Sequence, residues 1–322
     1  MFSLVPYQWR HLDNGVLGFM NNFSADLRRR EMRREIAMPD LRHGSTLVVA
    51  SDYSGYHQSA RYEALSFVVG DLEACGEWEE RRQGVRKLHL RDGRRISYKS
   101  LGDRRRQRAL LPFLGAADSV RGLLAVFLVD RRIVSLFSGE QCTQAAADPA
   151  LGPYKCWSPG VFERALRIVH LASFLVAGLS RADQDLMWIT DEDDVCANET
   201  QHRALVTLFA RISSHYLPHE MRHMRLGTTR SDTGARDLED LVSIADLAAG
   251  ALVESWTVHQ NEGGIPADVL VPLAQGVARK ARQILAWLAH DGQPLKRLVY
   301  LIDEDSNSRR LRRKLVRLHG EG

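Results

Sequence analysis

Three aspartates stand where an apolar segment of the chain ends or is interrupted. Asp52 follows the apolar run "STLVVAS", Asp191 follows "DLMWIT", and Asp246 lies inside the apolar helical pattern of residues 237–254. A buried carboxylate must be hydrogen-bonded, paired or bound to a metal, because burying a bare charge costs far more than one helix recovers. If the two strands are parallel neighbours, both strand-end aspartates emerge at one edge of the sheet. A helix packed across that edge then brings Asp246 to them.

Carboxylates that converge with no local basic partner repel one another, and a divalent cation or a shared proton relieves the repulsion. Oxygen ligands of this hard type select Mg²⁺ or Mn²⁺. Two such ions, roughly 3.5 to 4 Å apart, activate water and stabilise the leaving oxygen in phosphodiester hydrolysis. The three aspartates therefore predict a metal-dependent hydrolase.

Each aspartate also has a purely structural interpretation. Asp52 can hydrogen-bond the turn "DYSG", and Asp246 can pair with a buried arginine. Residues 191–194 can form an exposed acidic loop, with Asp193 and Asp194 capping the next helix. The shared site is favoured because all three aspartates occur where an apolar scaffold stops or is broken.

The elements that must position these residues alternate between strand and helix. Residues 47–52 are apolar on both faces, which predicts a central strand in a sheet that is covered on both sides. Further strands are predicted at 64–71, 122–130, 132–139 and 185–190, and helices at 72–82, 103–117 with an interruption at Pro112, 161–180, 199–216 and 237–254. This alternation predicts an α/β fold, a mixed sheet flanked by helices.

We divide the chain into three parts at segments that contain proline and glycine. Residues 1–45 form an Arg-rich N-terminal extension, residues 46–260 the main domain, and residues 261–322 a helical C-terminal addition with a basic tail. The net charge is only +4, but arginines cluster in "RRREMRR", "RDGRR", "DRRRQR" and "RRLRRK". Such clusters either follow a nucleic-acid backbone or form solvated helix faces.

Composition excludes several classes of protein. With 44% hydrophobic and 26% charged residues the chain is typical of a soluble globular protein, and its apolar runs are too short to span a bilayer. The N-terminal residues do not resemble an export signal, so we expect a cytoplasmic protein without a membrane partner. The four cysteines are widely and irregularly spaced, which argues against a zinc ribbon or a disulfide framework.

Other catalytic motifs are weaker. The segment "HYLPHEMRH" holds three histidines and a glutamate, but it lacks the His-Glu-x-x-His pattern of zinc hydrolases. Ser54 and His57 lack the Gly-x-Ser-x-Gly elbow of a serine hydrolase, and a dinucleotide fingerprint is absent.

The motifs "DYSG", "DED" and "SIADLAAG", in that order over residues 46–255, resemble a ribonuclease H-like family known as domain of unknown function 3800. The resemblance implies a ribonuclease H-like fold with a Mg²⁺ or Mn²⁺ site and nuclease activity on DNA or RNA. By the matched motifs, the metal ligands and catalytic residues are Asp52, Asp191 and Asp246, with Glu192 as a fourth candidate. Ser54, and Lys99 in the segment "YKSLGD", are the implied substrate contacts.

Two positions depart from the pattern of that family. Tyr53 stands where the family has Glu, and Ser243 stands where it has Gln. These departures favour a competing function, a ribonuclease H-like module that binds nucleic acid or regulates a partner without cutting. The sequence leaves both functions open, together with the choice between DNA and RNA.

Overall fold

The structure of the protein, a computed structural model, describes residues 7–13, 18–56, 60–137, 154–232, 234–261, 268–271, 276–305 and 310–320. Strands within these ranges are β1 Thr46–Ser54, β2 Tyr62–Asp71, β3 Gly122–Asp130, β4 Asp185–Thr190, β5 His223–Thr228, β6 Asp268–Val271, β7 Leu295–Glu304, β8 Leu311–Leu315 and β9 Arg317–Gly320. Helices are α1 Phe19–Met32, α2 Gly76–His89, α3 Arg104–Ala117, α4 Pro159–Leu179, α5 Glu199–Tyr216, α6 Asp237–Asn261 and α7 Arg279–Leu288.

Seven strands form one mixed sheet in the order β5-β4-β1-β2-β3-β7-β8, and β6 and β9 pair separately. The β1–β2, β2–β3 and β7–β8 pairs are antiparallel. The β1–β4, β4–β5 and β3–β7 pairs are parallel. The predicted α/β fold with a mixed, helix-flanked sheet is thereby confirmed.

Strand β1 lies inside this sheet, and its two faces enter different cores. Val48 and Ala50 belong to the core that contains α6, whereas Leu47 and Val49 belong to the core that contains α4 and α5. Because side chains alternate along a strand, Asp52 continues the face of Val48 and Ala50. Asp52 therefore points toward α6.

The helices form a layer on each face of the sheet. Helices α2, α3, α6 and α7 contribute to one core, and α1, α4 and α5 contribute to the other. Helix α1 buries Phe23 and Leu27 in the second core. The N-terminal extension predicted for residues 1–45 therefore supplies part of the core of the main fold.

The predicted helical C-terminal addition, residues 261–322, needs correction. Helix α7 lies there, but β7 pairs with β3 in parallel, and β8 then extends the same sheet. The physical reason is an apolar pattern on both faces of β7: Leu298, Tyr300 and Ile302 enter one core, while Val299 and Leu301 enter the other.

Two smaller predictions were also wrong. Residues 132–137 form turns and bends after β3 instead of a strand, and residues 138–139 lie outside the described ranges. Helix α3 continues through Pro112, which is exposed to solvent. The ring therefore displaces no packed neighbour, and water can bond the backbone carbonyl that proline leaves without a donor.

Helix α6, a long and largely apolar helix, positions the third aspartate. Its segment Asp237–Gln260 is long and apolar enough to span a membrane, but 78% of its most apolar window is buried inside the protein. Residues from Leu241 to Trp256 along the helix are buried in the core beneath the sheet. It is a core helix, as expected of a soluble protein.

Candidate active site

The register of two parallel strands places Asp52 and Asp191 side by side. Ser51 of β1 pairs with Thr190 of β4, and the N–H of Asp191 donates to the carbonyl oxygen of Ser51 at 3.2 Å. Asp191 is thus the residue next to Asp52 across the sheet. Residues in register on parallel strands point to the same face, so both carboxylates lie on the α6 face. Asp52 is only 5% exposed.

Helix α6 brings Asp246 to the same region, where a loop segment caps its carboxylate. The backbone N–H of Tyr98 donates to Asp246 Oδ2 at 2.5 Å. The Tyr98 ring lies directly on Gly250, one helical turn later, where an added Cβ would be 2.3 Å from the ring. Gly250 therefore lets the loop approach α6 closely enough for its N–H to reach Asp246.

A single guanidinium stands among the carboxylates. Arg95 Nη1 lies 2.9 Å from Asp191 Oδ1, and Arg95 Nη2 lies 3.6 Å from Asp52 Oδ2. Its Nε lies 3.7 Å from Glu239 Oε1. Arg95 is 28% exposed at its side chain, so it reaches the site from the solvent side. The buried arginine partner considered for Asp246 is therefore not found among the described residues: Arg95 pairs with other carboxylates and acts on Asp246 only through its charge.

The pKa values show that one arginine does not balance this group. Burial, together with Asp246 and Asp191, raises the pKa of Asp52 well above its usual value. Burial raises the pKa of Asp246 to about 6, although the Tyr98 N–H and Arg95 both act to lower it. Burial opposes the charge of Arg95, but Asp191, Asp52 and Asp246 still raise its pKa. The site therefore carries excess negative charge and attracts a further cation or a proton.

Glu239 is a site residue that the sequence analysis missed. It is 8% exposed and lies two turns before Asp246, on the same face of α6. Its carboxylate contacts Arg236 as well as lying near Arg95. The spacing of seven residues from Asp246 was the available signal, because such a pair shares one side of a helix.

The structure does not bring every predicted site residue to Arg95. Glu192 turns toward β5, where it accepts from Thr228 Oγ1 at 3.0 Å and pairs with Arg230 at 2.6 Å. Ser54 is half-buried at the end of β1. Lys99 is exposed at the start of a short 3₁₀ helix, close enough for its charge to lower the pKa of Asp246.

Tyr53, where the similar family has Glu, faces the other side of the sheet. Its hydroxyl shares hydrogen bonds with Ser51 Oγ at 2.8 Å and with Thr190 Oγ1 at 3.0 Å. A side chain at position 53 therefore points away from Asp52 and α6. The presence of Tyr53 in place of Glu therefore does not remove a carboxylate from the face of the sheet on which Arg95, Asp52 and α6 lie.

Asp193 and Asp194 also lie on that other side, and neither caps a helix. Both pair with the buried Arg164 of α4, Asp193 at 2.9 Å. Asn198 is the cap of α5, since it accepts from the N–H of Gln201 at 3.0 Å. Burial raises the pKa of Asp193 to about 6 even beside Arg164.

The histidine segment does not form a zinc site. Arg10 lies 2.7 Å from Nδ1 of His219, and Ser180 lies 3.0 Å from its Nε2. Burial lowers the pKa of His219 to about 4. Both of its ring nitrogens are thus occupied. His57 and Cys142 lie outside the described residues, and Cys75 and Cys196 are free thiols.

The donor chemistry of the site fits a hard divalent cation, and the Arg95 guanidinium stands in for one. Asp52, Asp191 and Asp246 offer only oxygen atoms and carry more negative charge than Arg95 neutralises. As the side chains lie, no group of three His, Cys, Asp or Glu residues within the described ranges is close enough to hold a metal ion. Metal binding therefore requires Arg95 to move aside and the carboxylates to close in.

Comparison with models of known protein families, with curated proteins and with solved structures finds no match to this chain. The chemistry of the site is thus argued from its residues.

Proposed function

We propose that the protein is a nuclease that depends on Mg²⁺ or Mn²⁺ and hydrolyses phosphodiester bonds of nucleic acid in the cytoplasm. The observation that carries the proposal is that Arg95 pairs with aspartates of β1 and of the end of β4, while its charge also acts on Asp246 of α6. These carboxylates are distant in sequence, and the fold brings the buried Asp52 together with the partly exposed Asp191 and Asp246 although they repel. A stability requirement alone does not select such an arrangement, because apolar residues would pack there at lower cost.

We also propose that the sheet is of the ribonuclease H-like type. Support comes from three consecutive antiparallel strands, β1 to β3, with β4 and β5 added in parallel beside β1. Asp52 lies near the end of β1, Asp191 directly follows β4, and the helix that carries the third aspartate packs across β1 and β2. These three aspartates are those of the motifs "DYSG", "DED" and "SIADLAAG", in the same order along the chain.

Asp52, Asp191 and Asp246 would hold the divalent cation, which supplies water activation and stabilisation of the leaving oxygen. Tyr98 keeps Asp246 in one orientation by donating its backbone N–H. Arg95 is partly exposed and offers a guanidinium to a phosphate of the substrate. Lys99, exposed beside it, adds a second positive charge for the strand.

The contacts of Arg95 also favour a second function, that of a module that binds nucleic acid without cutting it. Arg95 already contacts Asp191 and approaches Asp52, and Glu192 is held away by Arg230. In a module that only binds nucleic acid, Arg95 would be a permanent counter-ion of the aspartates, and no cleavage would follow. The two functions differ in whether the aspartates are needed for cutting or only for folding.

Nuclease assays on labelled DNA and RNA, single- and double-stranded, with Mg²⁺ or Mn²⁺, test the proposal. The wild type is compared with Asp52→Asn, with Asp246→Asn and with Glu80→Gln, which removes an exposed carboxylate on α2. We expect cleavage by the wild type and Glu80→Gln only. Equal cleavage by all four proteins would reveal a contaminant. Salt-sensitive binding without cleavage would instead support the binding module.

A further inference from the structure

A groove between α3 and α7 is lined by basic and amide side chains. Arg104, Arg108 and Gln107 of α3 face Arg279, Lys280 and Gln283 of α7 across a volume of about 590 Å³. We propose that this α3–α7 groove binds the phosphodiester backbone of a nucleic-acid strand and leads it to Arg95 and the aspartates. The inference rests on the proposed function, since it names the path by which that substrate reaches the site.

The positive charge of the groove is not balanced by acidic residues in the part of the chain that the structure describes, whereas most arginines around the groove are paired with carboxylates. No acidic residue lines the groove, and Arg104, Arg108 and Arg279 form no ion pair with any residue that the structure describes. By contrast, Arg82 and Arg86 of α2 are paired with Asp240. Like charges four residues apart on a helix repel, so the spacing of Arg104 and Arg108 gives α3 no stability. A polyanionic ligand would relieve this repulsion.

Both walls of the groove are attached to the segment that builds the site. Lys280 Nζ donates to the carbonyl oxygen of Tyr98 at 3.2 Å and lies 3.9 Å from the centre of the Tyr98 ring. Arg106 Nε, on α3, donates to the carbonyl oxygen of Arg95 at 2.8 Å. The N–H of Tyr98 holds Asp246. Tyr98 therefore connects Lys280 of the groove with Asp246 of the site, so that a nucleic-acid strand held in the groove would lie close to the aspartates.

The lining predicts recognition of the backbone without recognition of the bases. Guanidinium and ammonium groups bind phosphate oxygens, and the amides of Gln107 and Gln283 can donate to phosphate or sugar oxygens. Among the described lining residues none is aromatic, so the groove lacks the platforms on which bases stack. We expect binding that is independent of sequence and falls steeply as salt rises.

The test is fluorescence anisotropy of labelled DNA and RNA oligonucleotides, single-stranded and duplex, in EDTA so that no cleavage occurs. The triple variant Arg104→Gln, Arg108→Gln, Arg279→Gln is compared with a matched control, Arg81→Gln, Arg203→Gln, Arg225→Gln. The control removes the same charge from exposed positions on α2, α5 and β5. We expect the groove variant to bind at least about tenfold more weakly, with a salt slope smaller by roughly 2 to 3. The control should bind within about twofold of the wild type.

The inference is overturned if the two triple variants bind equally, or if the wild type binds no nucleic acid. Thermal unfolding of both variants shows that they are folded, since the changes are at exposed side chains. The result also separates the inference from the proposed function. If the wild type cuts nothing but binds through the groove, the groove proposal stands and the nuclease proposal fails. If the wild type cuts nucleic acid but the groove variant binds as well as the wild type, the nuclease proposal stands and the groove proposal fails.

Discussion

Asp240 and Asp246 are two carboxylates on the same helix, α6, the first buried and the second partly buried, and their charge environments differ. Asp240 is fully buried and accepts from Arg82 Nη1 at 3.0 Å and from Arg86 Nε at 2.6 Å. Asp246 accepts the backbone N–H of Tyr98 and lies within the electrostatic influence of Arg95, which pairs with Asp52 and Asp191. Two arginines contact Asp240 directly, although Arg82 also pairs with the more exposed Glu79 and Asp237. Asp246 has no ion pair with any residue that the structure describes, and Arg95, the cation with the largest effect on its pKa, pairs with Asp191 and Asp52 instead.

This difference distinguishes a structural ion network, whose buried carboxylate is paired with arginines, from a site that has too few positive charges for its carboxylates. A balanced buried network resists the loss of any member, because the remaining charge is left unpaired. An unbalanced network is relieved by the loss of one of its like charges. The two aspartates should therefore respond in opposite directions to the same chemical change, the replacement of Asp by Asn.

The largest effect is expected from Asp240→Asn. The change leaves Arg86 without its charged partner and weakens the pairing of the buried Arg82, so the free energy of unfolding should fall by about 3 to 5 kcal/mol. Urea denaturation measures the loss. The control is Glu77→Gln, which removes an exposed pair with Arg81 and should cost no more than about 1 kcal/mol. A loss at Asp240 no larger than the control would show that the network is not structural.

Asp246→Asn should stabilise the metal-free protein at high pH. The pKa of Asp246 is raised from 3.8 to about 6, so the folded state keeps a proton that the unfolded chain has lost. Wild-type stability from this group is therefore highest at low pH and declines as pH rises through about 6, because the buried carboxylate must then ionise.

At pH 8 the ionised Asp246 costs the wild type about 3 kcal/mol, a cost that Asn does not carry. The free energy of unfolding of Asp246→Asn relative to the wild type should therefore grow between pH 4.5 and pH 8 in a chelating buffer. Urea denaturation at the two pH values measures it. A difference that does not change with pH would mean that Asp246 is neutralised by its neighbours, as Asp240 is.

A smaller effect is expected from Gly250→Ala. The added methyl group would lie 2.3 Å from the Tyr98 ring, so Tyr98 must move and its N–H must leave Asp246. Such overpacking costs about 1 to 3 kcal/mol. Gly84→Ala on α2 is the control, because a Cβ there meets nothing within 4 Å and alanine favours helix. If both variants unfold at the same urea concentration as the wild type, the close contact at Gly250 is not needed.

The sequence predicted the scaffold of the site more fully than its chemistry. Strands β1 and β4 were predicted because both faces of residues 47–52 are apolar and because acidic residues follow the apolar run at 185–190. The convergence of Asp52 with Asp191 follows from their position at the ends of parallel neighbours. Apolar periodicity is a local property that a single sequence carries, whereas the parallel pairing of β1 with β4 was a condition of the prediction that the structure meets.

The groups that hold the carboxylates were not predictable in the same way. Arg95 belongs to "RDGRR", a segment without periodicity whose arginines were interpreted either as contacts for nucleic acid or as a solvated helix face. The donor to Asp246 is a backbone N–H, which every residue except proline has, so residue type gives no sign of it. Glu192 follows Asp191 in the motif, yet tertiary contacts with Thr228 and Arg230 decide its direction.

Calorimetric titration with Mn²⁺ tests most directly whether Asp52, Asp191 and Asp246 form one cation site that Arg95 partly fills. We predict that the wild type binds Mn²⁺, that Asp52→Asn and Asp246→Asn lose this binding, and that Glu80→Gln keeps it. Arg95→Gln should bind about tenfold more tightly or better, because one unit charge at 4 Å is worth about 4 kcal/mol at an effective dielectric of 20. Equal affinity in all five proteins, or weaker binding by Arg95→Gln, would contradict a shared cation site.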